Sequence, residues 1–233
     1  MVNALSVFLP TFNEEESIKE VIVKTKKVLQ EVADKWEIII VNDGSTDSTK
    51  EIVENLQKDD SKIRLINHNK NRGYGASLES GFYESKYSWI AFIDSDNQFD
   101  FAEITKFLEK QKETDADLII GYYKKRQVSA FKIITSKIWE LSVYILFGLR
   151  VHDIDCGFKL VSKKVIDKIP RLMSERGAFI SSELLIKARN SGFKIAEVPV
   201  THYPRVSGAG TGRNFNVIIK SFVDLFKLWK KLY

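Results

Sequence analysis

Five short apolar runs, spaced by stretches of helical periodicity, restrict what this chain can become more than any other feature. Leu5-Ser-Val-Phe-Leu9, Glu37-Ile-Ile-Ile-Val41, Ile63-Arg-Leu-Ile66, Trp89-Ile-Ala-Phe-Ile93 and Leu118-Ile-Ile120 each read as a buried strand. Between them, Ser17 to Val32, Asp47 to Gln57, Ala76 to Tyr83 and Phe101 to Lys112 carry apolar residues at helical spacing. Capping signals stand at two of the starts, Asn13 with Glu16 and Asp100 with Glu103. Strand-helix alternation over half the chain predicts an α/β fold, with a mostly parallel central sheet and helices on both faces.

At 233 residues and 44% hydrophobic, the chain can bury the core of one large domain, and no repeat or low-complexity tract divides it. The single Cys156 excludes an intramolecular disulfide and a zinc cluster. Met1 to Glu16 carries no basic leader, so no signal peptide is expected. Leu141 to Leu149 is the longest uncharged apolar stretch near the middle, and it falls short of the roughly 20 residues of a membrane-spanning helix. A net charge of +5, with Lys and Arg crowded towards the C-terminal half, favours an anionic partner. Nucleic acid is not the partner expected.

Ligands of such sheets gather at the carboxyl ends of the strands, and here those ends are unusually polar. They read Pro10-Thr-Phe-Asn-Glu14, Asn42-Asp-Gly-Ser-Thr-Asp47, Asn67-His-Asn-Lys-Asn-Arg-Gly-Tyr-Gly75 and Asp94-Ser-Asp96. Each alone is ordinary turn chemistry; four at one edge describe a site. No Gly-x-Gly-x-x-Gly and no P-loop Gly-Lys-Ser/Thr follows a strand, so phosphates must be held another way. Asp94 and Asp96 supply it. Two carboxylates at a strand end suit Mg²⁺ or Mn²⁺, which take hard oxygen ligands and leave further positions to substrate phosphates, and Gln98 can add a carbonyl oxygen.

Pro10-Thr-Phe-Asn-Glu14, Val41-Asn-Asp-Gly-Ser-Thr-Asp47, Asn71-Arg-Gly-Tyr-Gly-Ala76, Asp94-Ser-Asp-Asn-Gln98, Asp153-Ile-Asp-Cys-Gly-Phe-Lys159 and Glu197-Val-Pro-Val-Thr-His-Tyr-Pro-Arg205 together resemble the signature of family-2 glycosyltransferases of the GT-A fold. The closest resemblance within them is to the polyprenyl-phosphate sugar transferases, such as dolichyl-phosphate mannose synthase. It implies inverting transfer of a hexose from a nucleoside-diphosphate sugar, GDP- or UDP-linked, with a divalent metal on the diphosphate. It also implies that Pro10, Phe12, Glu14, Val41 and Asp43 hold the nucleoside. Asp94, Asp96 and Gln98 hold the metal, Asp96 as direct ligand, and the Ser95 backbone approaches the ribose or diphosphate. Arg205 matches the family's C-terminal arginine.

A sugar hydroxyl needs a general base, whereas a lipid phosphate with a second pKa of about 6 is already ionised and needs positive charge. For the latter, Arg126, Lys132 and Ser136 are the candidates: Tyr123 stands where the mannose synthases carry a first arginine, and Lys132 replaces the second. Asp153, Asp155 and Glu183 are the candidate bases if the acceptor is instead a glycan hydroxyl, and a non-catalytic nucleotide-sugar-binding protein is a third reading. His202 could touch the diphosphate or metal but reads more readily as a strand-end hydrogen-bonder. Amphipathic stretches at Phe131 to Leu149 and after Phe215 predict contact with a membrane surface, a dimer partner or a separate membrane protein. The expected organisation is a catalytic domain over 1–214 followed by an amphipathic helix over 215–233, bound peripherally at the cytoplasmic face of a membrane.

Overall fold

The computed structural model describes residues 2–123, 130–174, 179–204 and 215–232, apart from the side chains of 130–134 and 215–220. All five expected strands form: β1 (Val2–Thr11), β2 (Ala33–Asn42), β3 (Ile63–Asn67), β4 (Trp89–Ile93) and β5 (Leu118–Tyr123). The four helices between them form too, as α1 (Ile18–Val32), α2 (Thr49–Asp59), α3 (Tyr74–Glu84) and α4 (Ile104–Thr114), the last entered through a 3-10 turn, Phe101–Glu103. Further along come α5 (Ala130–Phe147), β6 (Phe158–Ser162), α6 (Lys163–Lys168), α7 (Phe179–Asn190), β7 (Ile195–Val200) and α8 (Phe215–Leu232).

The strands make one sheet in the order β3-β2-β1-β4-β6-β5-β7. All its pairings are parallel except those of β6, which runs antiparallel to both β4 and β5, pairing Phe92 with Lys159 and Ile93 with Phe158. Successive side chains of a strand point to opposite faces, so the apolar runs divide between two cores. Val7, Leu9, Ile38 and Ile40 pack with Ile22 and Leu29 of α1, Val53 of α2 and Phe107 of α4. Phe8, Ile39, Val41 and Phe92 pack with Phe82 of α3, Val143 of α5, Leu185 of α7 and Leu225 of α8. Each such buried side chain contributes about 1.5–3 kcal/mol. On that second face Phe8 stacks on Phe92 at 5.4 Å and meets Phe82 edge-on at 4.9 Å.

Two local expectations resolve differently. Asp100 caps the 3-10 turn by accepting from the Ala102 N–H, but Glu103 does not reach back to it; its carboxylate accepts from the Thr201 N–H and hydroxyl instead. Asn13 does not cap α1. The cap position is Ser17, and Asn13, at φ 54°, gives its side-chain oxygen to the Thr46 N–H in the next strand's loop. Helix α8 lays Leu225 and Leu228 into the second core and sets Phe222 edge-on to Trp139 of α5 at 5.1 Å, while Val223 and Phe226 stay exposed.

Candidate active site

The polar ends of β1 to β4 are hydrogen-bonded into one surface. The Asn13 and Glu15 N–H groups donate to Ser45 Oγ (2.9 Å) and Asp47 Oδ2 (3.2 Å), and the Ser48 N–H returns a bond to Glu15 Oε2 (2.9 Å). Ser95 joins β4 to β1, its hydroxyl donating to the Pro10 carbonyl (2.8 Å) and its own carbonyl accepting from Ser17 Oγ (2.9 Å). Gly44, at φ 72°, permits a close approach of two loops: a Cβ there would stand 2.6 Å from the Lys70 carbonyl carbon.

Asp43 is the hub between β2 and β3. Its Oδ1 accepts from His68 Nδ1 (2.6 Å) and the Arg72 N–H (2.9 Å), its Oδ2 accepts from the Gly73 N–H (2.7 Å), and the residue is only 3% exposed. His68 is fixed in turn by Ser80 Oγ at 2.9 Å. A carboxylate has about four lone-pair sites, and three are engaged internally. Of the other residues expected around a nucleoside, Phe12 is 39% exposed and Glu14 is buried, its Oε2 accepting from Ser17 Oγ (3.0 Å). Val41 and Pro10 are both buried strand positions, and Val41 packs in the second core because it is an inward residue of β2.

At the end of β4, Asp94 Oδ1 accepts from the Tyr74 hydroxyl (2.9 Å) and the Asp94 N–H donates to the Gly157 carbonyl (3.2 Å). Gly157 touches the carboxylate so closely that a Cβ there would fall 2.0 Å from Asp94 Oδ2. Asp96 Oδ1 accepts from the Gln98 N–H (3.1 Å). Gln98 is zipped to the chain after β7: its Nε2 donates to the Tyr203 carbonyl (3.0 Å) and its main-chain carbonyl accepts from the Tyr203 N–H (2.9 Å). His202 is thereby brought to the same edge, edge-on to Tyr123 at 4.7 Å and to Phe99 at 5.3 Å. Among the described residues no three His, Cys, Asp or Glu side chains form a closed cage. Two carboxylates and an amide at a strand end fit an oxygen-preferring ion whose shell substrate phosphates complete.

Antiparallel β6 brings the segment 153–157 to this edge. Asp153 is buried, its Oδ1 accepting from the Asp155 N–H (3.0 Å), and Asp155 is exposed. Beneath them Lys159 is 0% exposed, its ammonium donating to the Cys156 carbonyl and lying 5.2 Å from the centre of the Phe92 ring. Burial pushes the Lys159 pKa down, and Cys156, Asp155, Asp153 and Asp94 oppose that fall. Burial likewise raises the Tyr123 hydroxyl, helped by Cys156, Asp153, Asp94 and Asp155. The Cys156 thiol is pushed up to about 12, chiefly by burial. Tyr74, Gly157 and Lys159 were not singled out from sequence; a lysine inside the apolar run Phe158-Lys-Leu-Val161 was the available signal.

Glu183, the third candidate base, is engaged by internal partners. It is buried on α7, where its carboxylate accepts from the Met173 and Ser174 N–H groups, the Ser174 hydroxyl and the Lys187 ammonium, the last two at 2.5 Å. Ser136 lies half-buried on α5. Arg126 and Arg205 lie outside the described residues, as does the side chain of Lys132.

Comparison with known proteins gives this arrangement a lineage. The family model described as glycosyl transferase family 2 matches residues 6–170. Dodecaprenyl-phosphate galacturonate synthase of Rhizobium johnstonii is 29% identical over 230 residues, covering 95% of this chain and 66% of the relative. Dolichyl-phosphate beta-glucosyltransferase of Trichomonas vaginalis is 28% identical over 236 residues, covering 96% and 72%. Undecaprenyl-phosphate 4-deoxy-4-formamido-L-arabinose transferase of Salmonella choleraesuis is 32% identical over 208 residues, covering 89% and 62%. The chain thus spans about two thirds of the length of these curated relatives. Among solved structures, glucosyl-3-phosphoglycerate synthase of Mycobacterium tuberculosis in complex with UDP superposes with a TM-score of 0.74 at 19% identity, covering 98% of this chain and 80% of that one. The same enzyme with Mn²⁺, UDP and phosphoglyceric acid gives 0.72 at 19% identity, covering 97% and 78%. That likeness is one of fold, the expected GT-A arrangement. With 6–170 matched and the strand-end residues assembled on one edge, the chain belongs to glycosyl transferase family 2.

Proposed function

We propose that this protein transfers a sugar, with inversion, from a nucleoside-diphosphate donor to a polyprenyl phosphate. The observation that carries the reading is the joining of the β1, β2, β3 and β4 ends into one hydrogen-bonded edge with Asp94 and Asp96 at its centre. The three curated relatives support the acceptor, since each is named for a polyprenyl or dolichyl phosphate. The neighbour holding UDP and Mn²⁺ supports the donor side.

In this reading Phe12, Glu14 and Asp43 hold the nucleoside, and Asp43 reads the base with the acceptor site its internal bonds leave. Asp94, Asp96 and Gln98 hold Mg²⁺ or Mn²⁺, which when bound neutralises charge growing on the departing diphosphate. Ser95, tied to Pro10 and Ser17, presents its backbone to the donor. Arg126, Lys132, Ser136 and Arg205 carry over from the resemblance as contacts to the acceptor and donor phosphates. No described helix is long and apolar enough to cross a membrane. Contact with a membrane surface is supported by the exposed Ile138, Leu141, Tyr144 and Ile145 of α5 and Val223 and Phe226 of α8.

A glycan hydroxyl as acceptor has one observation in its favour, the exposed Asp155 in the segment whose Gly157 carbonyl accepts from the Asp94 N–H. Initial rates with radiolabelled UDP- and GDP-sugars decide the matter, with polyprenyl phosphate and an oligosaccharide as alternative acceptors. Organic-phase product that survives Asp155→Asn is expected. Product on the oligosaccharide alone, abolished by Asp155→Asn through loss of a base worth roughly 10²–10⁴-fold, would replace this reading with the hydroxyl one.

A further inference from the structure

Tyr74 links the loop after β3 directly to Asp94 at the end of β4, a second tie across the edge beside the bonds of Ser95 to Pro10 and Ser17. It is the first residue of α3, entered through Gly73 at φ 104°, a backbone that side chains rarely adopt. Asp43 Oδ2 accepts from the Gly73 N–H at 2.7 Å, so the loop that presents Tyr74 is anchored on the nucleoside side. The Tyr74 hydroxyl then donates to Asp94 Oδ1 at 2.9 Å on the metal side. On the other flank Gly157 abuts Asp94 Oδ2. A carboxylate torsion is intrinsically broad and roughly two-fold; here the hydroxyl and the bare glycine select one orientation.

We propose that Tyr74 is a positioning residue that orients Asp94 and thereby couples occupancy of the nucleoside pocket to divalent-metal binding. The proposal rests on the reading of Asp94 and Asp96 as the metal-diphosphate site. Its physical content is a short relay, Asp43 to Gly73 to Tyr74 to Asp94, in which ordering one end lowers the cost of ordering the other. Such coupling is reciprocal: whatever factor Mn²⁺ adds to UDP affinity, UDP adds to Mn²⁺ affinity.

Tyr74→Phe tests it, since only the hydroxyl is removed. UDP affinity is measured by calorimetry with and without Mn²⁺, and Mn²⁺ affinity by electron paramagnetic resonance with and without UDP. Tyr83→Phe is the control, because it also deletes the hydroxyl of a half-buried phenol, one that accepts from the Leu172 N–H away from the site. Asp96→Asn controls for the metal. The wild type and Tyr83→Phe are expected to show strong Mn²⁺ enhancement of UDP binding and Asp96→Asn little. Tyr74→Phe should keep the metal-free UDP affinity and lose roughly 10–100-fold of the enhancement, the usual cost of removing a partner that orients a metal ligand. Undiminished enhancement in folded Tyr74→Phe overturns the proposal and leaves the metal-site reading intact. An equal loss of metal-free and metal-dependent affinity, with a lowered melting temperature, also overturns it, because the role is then structural. Absence of Mn²⁺ enhancement in the wild type overturns both the proposal and the reading beneath it.

Discussion

Gly157→Ala is the sharpest perturbation the geometry offers. A methyl at this position would stand 2.0 Å from Asp94 Oδ2 and 2.6 Å from Asp94 Cγ. Non-bonded carbons rest at about 3.5–4.0 Å, so the carboxyl carbon must retreat by roughly 1 Å. Gly157 is not among the glycines with positive φ, so the substitution strains no backbone and its effect falls on Asp94. The carboxylate can yield only by rotating off the Tyr74 hydroxyl or by pushing β6 away from β4. Overpacking of this kind costs about 1–3 kcal/mol of stability, and a 1 Å displacement of a reacting group costs about 10²-fold in rate. Sugar transfer at saturating donor and metal should fall about 100-fold, while a denaturant titration shows the protein still folded. Wild-type turnover in Gly157→Ala would refute the claim that Asp94 must hold this position, as would a loss of activity matched by the fraction unfolded.

Asp43→Ala should lower stability as well as nucleotide affinity, because it orphans the Arg72 and Gly73 N–H groups at about 1–3 kcal/mol each; urea unfolding and calorimetric titration with UDP and GDP separate the two effects. Glu183→Gln should cost about 3 kcal/mol by leaving the buried Lys187 ammonium without its carboxylate, yet turnover per folded molecule should stay within a few-fold of wild type. A drop of 10²-fold or more would restore Glu183 as a base. Cys156, with its thiol pushed from 9.0 up to about 12, should resist alkylation at pH 8 until the protein unfolds. Above pH 9 the unfolded chain loses that proton while the folded one keeps it, so stability falls as pH rises. The advantage of wild type over Cys156→Ala should shrink by about 1 kcal/mol between pH 9 and 10 in chemical denaturation.

The first half of the chain was legible because each strand is a continuous apolar run with a polar end, and a parallel sheet buried on both faces demands that pattern. β6 was not, because Lys159 interrupts Phe158 to Val161 and its ammonium is tolerated only beneath the acids that the fold brings over it. β7 could be inferred only from reading His202 as a strand-end residue: Pro199 breaks its run, and the sheet accommodates a proline there because β7 is an edge strand. Within the site the carboxylates could be named, but not their keepers. Tyr74 and Gly157 lie 20 residues before and 63 after Asp94, and no local spacing announces such a meeting.

Reversed β6 also governs the order in which the molecule can come together. β1, β2 and β3 pair through successive crossovers and β4 then returns to pair with β1, whereas β5 and β7 reach the rest of the sheet only across β6. Two pairings close long loops, Leu5 to Trp89 of β1 and β4 over some 84 residues and Ile93 to Phe158 of β4 and β6 over some 65, so their entropic cost is met after the nearer contacts of β1, β2 and β3 exist. The acid cluster therefore assembles only when the two portions of the sheet are stitched together. A nascent chain can pair β1 to β3 early, but the edge that carries Asp94 is complete only once β4 has returned to β1 and β6 has closed on β4.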